Sequence, residues 1–68
     1  MNLTERQLEV LTWTARGKSA SVIGIILGIK TCTVTEHRRN ILRIFNVDAI
    51  VTACVKAALA GLISLERD

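Results

Sequence analysis

Residues 19–45 read SASVIGIILGIKTCTVTEHRRNILRIF, and the fold depends on how this stretch is divided. Ile23, Ile26 and Leu27 recur at the i, i+3, i+4 spacing of one helical face, and Val34, His37, Ile41 and Phe45 resume a stripe of the same kind. Between them Leu27-Gly28-Ile29 interrupts the pattern at a glycine, the residue that most readily stops a helix. The stretch is predicted to form two helices, about 19–27 and 31–45, joined by a tight turn at 27–30, with both apolar stripes facing inward. A helix advances by about 100° per residue. Cys32, Thr35, Glu36, Arg39 and Arg43 therefore project away from the inner stripe, as polar and charged groups on a helix held from behind.

Upstream, Thr4-Glu5-Arg6-Gln7 has the form of a capping box, with Leu3 and Leu8 placed as its hydrophobic staple. A first helix follows, about 4–16, with Leu8, Leu11 and Ala15 on one face, Val10 and Trp13 broadening it, and Gly17 as its stop. Ser19 is the expected cap of the second helix. Val22 stands where Glu or Gln would complete the box, a loss of a few tenths to about 1 kcal/mol that packing of Val22 would offset. The Thr31 hydroxyl is the expected cap of the third helix. Downstream, Asp48 is the expected cap of a fourth, about 48–60, which Gly61 closes. That helix is apolar on two sides: Ile50, Ala53, Cys54 and Ala57 form one face, and Val51, Val55, Ala58, Leu59 and Leu62 another. So small a domain cannot cover both faces itself, and a partner surface is expected there.

The 68 residues suffice for one domain, 1–68, with a stability margin on the order of 3–5 kcal/mol. Half the residues are hydrophobic, yet only Trp13 and Phe45 are aromatic and proline is absent, a balance that favours an all-α fold of four compact helices. The apolar runs are shorter than the roughly 18 residues that a membrane span needs. Glu5 near the start argues against a secretory signal, so a cytoplasmic location with no membrane partner is expected. Two cysteines and one histidine provide no metal spacing, and no cofactor is expected. There is no phosphate-binding glycine loop, no carboxylate pair on one face and no nucleophile beside a base, so catalysis is not expected. The net charge of +3 is modest, but Lys30, Arg38, Arg39 and Arg43 cluster while Glu66 and Asp68 lie in the tail, a distribution suited to a polyanion.

LTERQLEVLTWTARGKS at 3–19, the ILGI turn at 26–29, TVTEHRRNI at 33–41 and the closing GLI at 61–63 occur in an order that resembles the C-terminal helix-turn-helix domain of LuxR-type (GerE-like) bacterial transcriptional regulators. The resemblance covers Leu3 to Ile63. It implies a four-helix domain whose third helix enters the major groove of double-stranded DNA and whose fourth helix, about 48–60, pairs with that of a second copy. In that family the domain usually follows one that receives a signal. Four positions depart from the family's habit: Val22 for Glu, Lys30 for Ser, Ile44 for Lys and Ile50 for Arg.

The resemblance assigns base reading to Thr35, Glu36 and Arg39. The residue chemistry agrees, since an Arg fork matches guanine O6 and N7, Thr can meet a thymine methyl, and Glu can accept from cytosine N4. Lys18, Ser19, Lys30, Thr33, Arg38 and Arg43 are the candidate phosphate contacts, with Ser19 and Thr33 near helix starts where free N–H groups attract an anion. Val51, Val55, Ala58 and Leu59 are the candidate dimer interface. A homodimer would prefer an inverted repeat, and RNA polymerase is a further candidate partner of a transcription regulator. His37 and Trp13 read as packing residues, Cys54 as apolar filler, and Cys32 as a thiol at the start of the reading face. The rival reading is a small helical protein-interaction module, an antagonist of related regulators, that uses the surplus face of the fourth helix and binds DNA weakly.

Overall fold

In the computed structural model, which describes residues 3–64, four helices follow one another: α1 (Glu5–Ala15), α2 (Ala20–Leu27), α3 (Thr31–Phe45) and α4 (Ile50–Leu59). Met1, Asn2 and the tail from Leu65 to Asp68, with Glu66 in it, lie outside the described residues. α3 packs on all three other helices and α1 touches the remaining two, whereas α2 and α4 make no contact with each other among the described residues. α3 is thus braced from three directions.

The starts of the helices divide into two kinds. At α1 both halves of the capping box form: Thr4 Oγ1 accepts from the Gln7 amide at 3.1 Å, and Gln7 Oε1 accepts from the Thr4 amide at 3.0 Å. At α2 Ser19 Oγ accepts from the Val22 amide at 3.3 Å, and the missing half of the box is not offset by packing, because Val22 remains 40% exposed. Two expected caps are corrected. Lys30, not Thr31, is the N-cap of α3, and it makes no side-chain cap bond; Thr31 already lies inside the helix. α4 begins at Ile50 rather than 48, with Ala49 as an uncapped N-cap, so Asp48 stands outside it. Its first turn has no acid and no side-chain cap, and its first backbone bond runs from Ala53 N–H to the Ala49 carbonyl at 3.2 Å.

The ends follow one rule. Each helix closes with the paired bonds of a Schellman motif around a left-handed residue, as at α3, where Asn46 N–H donates to the Arg43 carbonyl (3.1 Å) and Val47 N–H to the Leu42 carbonyl (3.0 Å). Asn46 sits at φ 55°, a conformation that asparagine tolerates better than other residues bearing a side chain. Gly28 plays this part at the end of α2, with φ 69°.

The core consists of Val10 and Leu11 of α1, Ile23 of α2, Val34, Ile41 and Phe45 of α3, and Ala53, Cys54 and Ala57 of α4. Each of the large side chains contributes roughly 1.5–3 kcal/mol by leaving water. The α3 stripe is as expected, with His37 half-buried at its edge. The α2 stripe holds at Ile23, in the core, and at Leu27, packed against it, but not at Ile26. Ile26 is 43% exposed, and the buried partner of Ile23 is Gly24. A Cβ on Gly24 would lie 2.7 Å from the Ile29 carbonyl oxygen, so the turn folds back onto α2 where only a hydrogen fits. On α4 the second apolar face remains uncovered, with Val51 70%, Val55 50% and Leu59 84% exposed.

Candidate nucleic-acid interface

Burial of Val34, Ile41 and Phe45 fixes the rotation of α3 and turns Thr35, Glu36, Arg39 and Arg43 outward, where all four are exposed. These side chains are not idle. Thr35 Oγ1 donates to the Thr31 carbonyl one turn back (3.2 Å), which commits its proton to the helix while the residue stays exposed. Arg39 Nη1 donates to Glu36 Oε2 at 3.0 Å, an ion pair with both side chains more than half exposed. Arg43 Nη1 reaches Asn40 Oδ1 at 3.5 Å. Water screens such pairs and limits their worth to below about 1 kcal/mol, so each can be exchanged for a better partner.

The α1–α2 corner lies beside this helix. Lys18 and Ser19 are exposed there, and the Ser19 hydroxyl both caps α2 and lies 3.2 Å from Ser21 Oγ. Lys30 is exposed at the start of α3 and Thr33 is half-buried in its first turn. Arg38 differs from the other basic candidates. It is half-buried, its Nε donates to Thr14 Oγ1 and its Nη2 donates to the Lys18 carbonyl, each at 3.2 Å. The sequence showed Arg38 only as part of a basic cluster, and these ties to α1 and the corner needed the tertiary packing to appear.

Cys32 is exposed at the N-terminal end of α3, and Cys54 is buried; both are free thiols. Burial pushes the Cys54 thiol above its ordinary value, and the positive charge of Arg38 pulls in the opposite direction with smaller effect. Trp13 is half-buried against the core, and the Arg16 guanidinium lies 5.4 Å from its ring centroid. No helix among the described residues is long and apolar enough to cross a membrane.

A tight turn between two packed helices, with the second presenting arginines outward, is the arrangement of a helix-turn-helix. The model of a family described as bacterial regulatory proteins, luxR family, matches residues 1–57. The chain belongs to the luxR family. It is a helix-turn-helix domain of a DNA-binding transcription regulator, and neither the family nor its similar members are enzymes. This luxR-family chain is 44% identical over 61 residues to the HTH-type quorum-sensing regulator RhlR of Pseudomonas aeruginosa, covering 90% of this chain and 25% of RhlR. It is 48% identical over 61 residues to the transcriptional activator protein SolR of Ralstonia solanacearum, covering 90% of this chain and 26% of SolR. The nitrate/nitrite response regulator protein NarP of Escherichia coli is 45% identical over 53 residues, 78% of this chain and 25% of NarP. The chain therefore spans about a quarter of the length of these relatives.

Proposed function

We propose that the chain, as one domain over residues 1–68, binds double-stranded DNA as a sequence-specific homodimer, with α3 laid in the major groove. The observation that carries this reading is the rotation of α3: its apolar stripe is buried and Thr35, Glu36 and Arg39 are exposed along one side. On this reading those three side chains meet base edges, and Lys18, Ser19, Lys30, Thr33 and Arg43 border the phosphates, while Arg38, first grouped with them, is bonded to Thr14 and Lys18 and stands behind them. Phosphate contacts supply much of the affinity, so binding weakens steeply with salt. The exposed Val51, Val55 and Leu59, with Ala58 half-buried among them, form the dimer face on α4. A two-fold dimer then prefers an inverted repeat with half-sites about one helical turn apart. The protein acts in the bacterial cytoplasm, with RNA polymerase as a further partner.

Titration of random duplex DNA at two salt concentrations, followed by selection of bound sequences from a random pool, tests the proposal. Salt-dependent binding and recovery of an inverted repeat are expected. The exposed apolar face of α4 also favours a second reading, a protein-interaction module that pairs with related regulators. A tight dimer with no salt-dependent DNA binding would support that reading and overturn the first.

A further inference from the structure

We propose that Arg38 is a positioning residue for DNA binding: it locks the α1–α2 corner, and with it Lys18, onto the reading helix. This role rests on the DNA-binding reading given above. Arg38 projects from α3 beside the exposed face but turns its guanidinium toward α1, where Nε meets Thr14 Oγ1 and Nη2 meets the carbonyl of Lys18, a residue 20 positions earlier. Thr14 is prepared for this contact. Its hydroxyl donates to the Val10 carbonyl at 2.8 Å, so its proton is committed to the helix and a lone pair faces Arg38. Lys18 is pinned on both sides: its N–H donates to the Trp13 carbonyl (3.1 Å) to close α1, and its C=O receives Arg38.

The consequence reaches the DNA side through the next residue. Ser19 caps α2, so the corner held by Arg38, residues 16–19, carries both Lys18 and the hydroxyl at the start of α2. The guanidinium is planar and permanently charged, and its two bonds leave along fixed, different directions. It therefore ties α3 to the last turn of α1 and to the corner at once, which a single contact could not do. Arg38 is half-buried and bonded to both α1 and the corner, so the group sits at a junction of the domain and not on an open face. A phosphate that meets Lys18 and a base that meets Arg39 must be reached together, and Arg38 is the side chain that ties the two elements.

The test is a double-mutant cycle read as the slope of log affinity for random duplex DNA against log salt, with thermal melts of each variant run first. Removing one protein–phosphate ion pair makes that slope shallower by about 0.9. Lys18→Met and Arg38→Met are each expected to reduce it by about 0.9 per protomer bound, and the double variant also by about 0.9 per protomer, because Arg38 acts through Lys18. Arg38→Met combined with Arg43→Met is expected to be additive. A Lys18/Arg38 double reduction of about 1.8 per protomer bound would mean that Arg38 holds a phosphate of its own, and it would overturn the role. An unchanged slope for Arg38→Met would reduce it to a structural tie and overturn the role as well. Where Arg38→Met fails to fold, Thr14→Val removes the acceptor at nearly constant volume and enters the same cycle; it is expected to couple to Lys18, and additivity would be contrary. A wild-type chain without salt-dependent binding would overturn the parent reading, and this role with it.

Discussion

Replacing Arg39 by alanine is expected to abolish the protein's preference at one base pair while leaving its fold intact. In the free protein Arg39 is paired with Glu36 at 3.0 Å, and the two side chains are 59% and 56% exposed. An i,i+3 pair so open to water contributes about 0.2–0.5 kcal/mol, so its removal should lower the melting temperature of a domain this size by no more than roughly 1–4 °C. An arginine fork on guanine discriminates by about 1–3 kcal/mol, roughly 5- to 150-fold in affinity. The second quantity exceeds the first. Exchange of Glu36 for a guanine edge is therefore downhill, and the ion pair stores the arginine without trapping it. The assay takes a duplex selected by the wild type, makes every single-base variant of it, and measures the dissociation constants of wild type and Arg39→Ala at one salt concentration. Discrimination should collapse at one position in each half-site and persist elsewhere. A variant that keeps the full wild-type pattern would remove Arg39 from the reading face, whatever its stability.

Leu59→Glu places a charge on a side chain that is 84% exposed and outside the core, so monomer stability should change by less than about 0.5 kcal/mol, while self-association measured by sedimentation should weaken at least tenfold. A dimer as tight as the wild type would move the interface off α4. Gly24→Val should destabilise the domain by about 1–3 kcal/mol in denaturant unfolding, because the new Cβ meets the Ile29 carbonyl oxygen, a backbone atom, at 2.7 Å; a neutral outcome would mean that the turn yields freely. Cys54 makes stability depend on alkaline pH. Its folded value is raised above 9.0, chiefly by burial, so its contribution is complete below 9.0 and is lost as pH rises through the higher folded value, where the unfolded chain has already released its proton. Cys54→Ala should lack this part of the decline; parallel profiles of the two proteins between neutral and strongly alkaline pH would refute it.

Much of the architecture is legible along the chain because it is written in local chemistry. The Thr4–Gln7 box, the Ser19 cap and the glycines at 17, 28 and 61 act within a few residues of themselves, and α3 falls where its periodicity predicts it. Asn46 carried a signal of the same kind, since asparagine is the next choice after glycine for a left-handed stop. The cap expected from Asp48 failed because a good capping residue competes with where the chain must turn to bring Ala53, Cys54 and Ala57 onto the core.

Other features had no local signal. Ile26 satisfies the helical period of α2 yet faces water, and Gly24 occupies the inner position, because the return of the turn at Ile29 leaves space for a backbone hydrogen and nothing larger. Arg38 and Arg39 are adjacent and identical in kind, but the position of α1 makes one a tie to Thr14 and Lys18 and leaves the other on the surface with Glu36. Periodicity along residues 19–45 was enough to place two helices and to tell the inner side of the second from its outer side, because that distinction repeats with every turn. Which of two neighbouring arginines is held within the domain depends on atoms 20 positions away in the chain, and only the packed helices bring those atoms together.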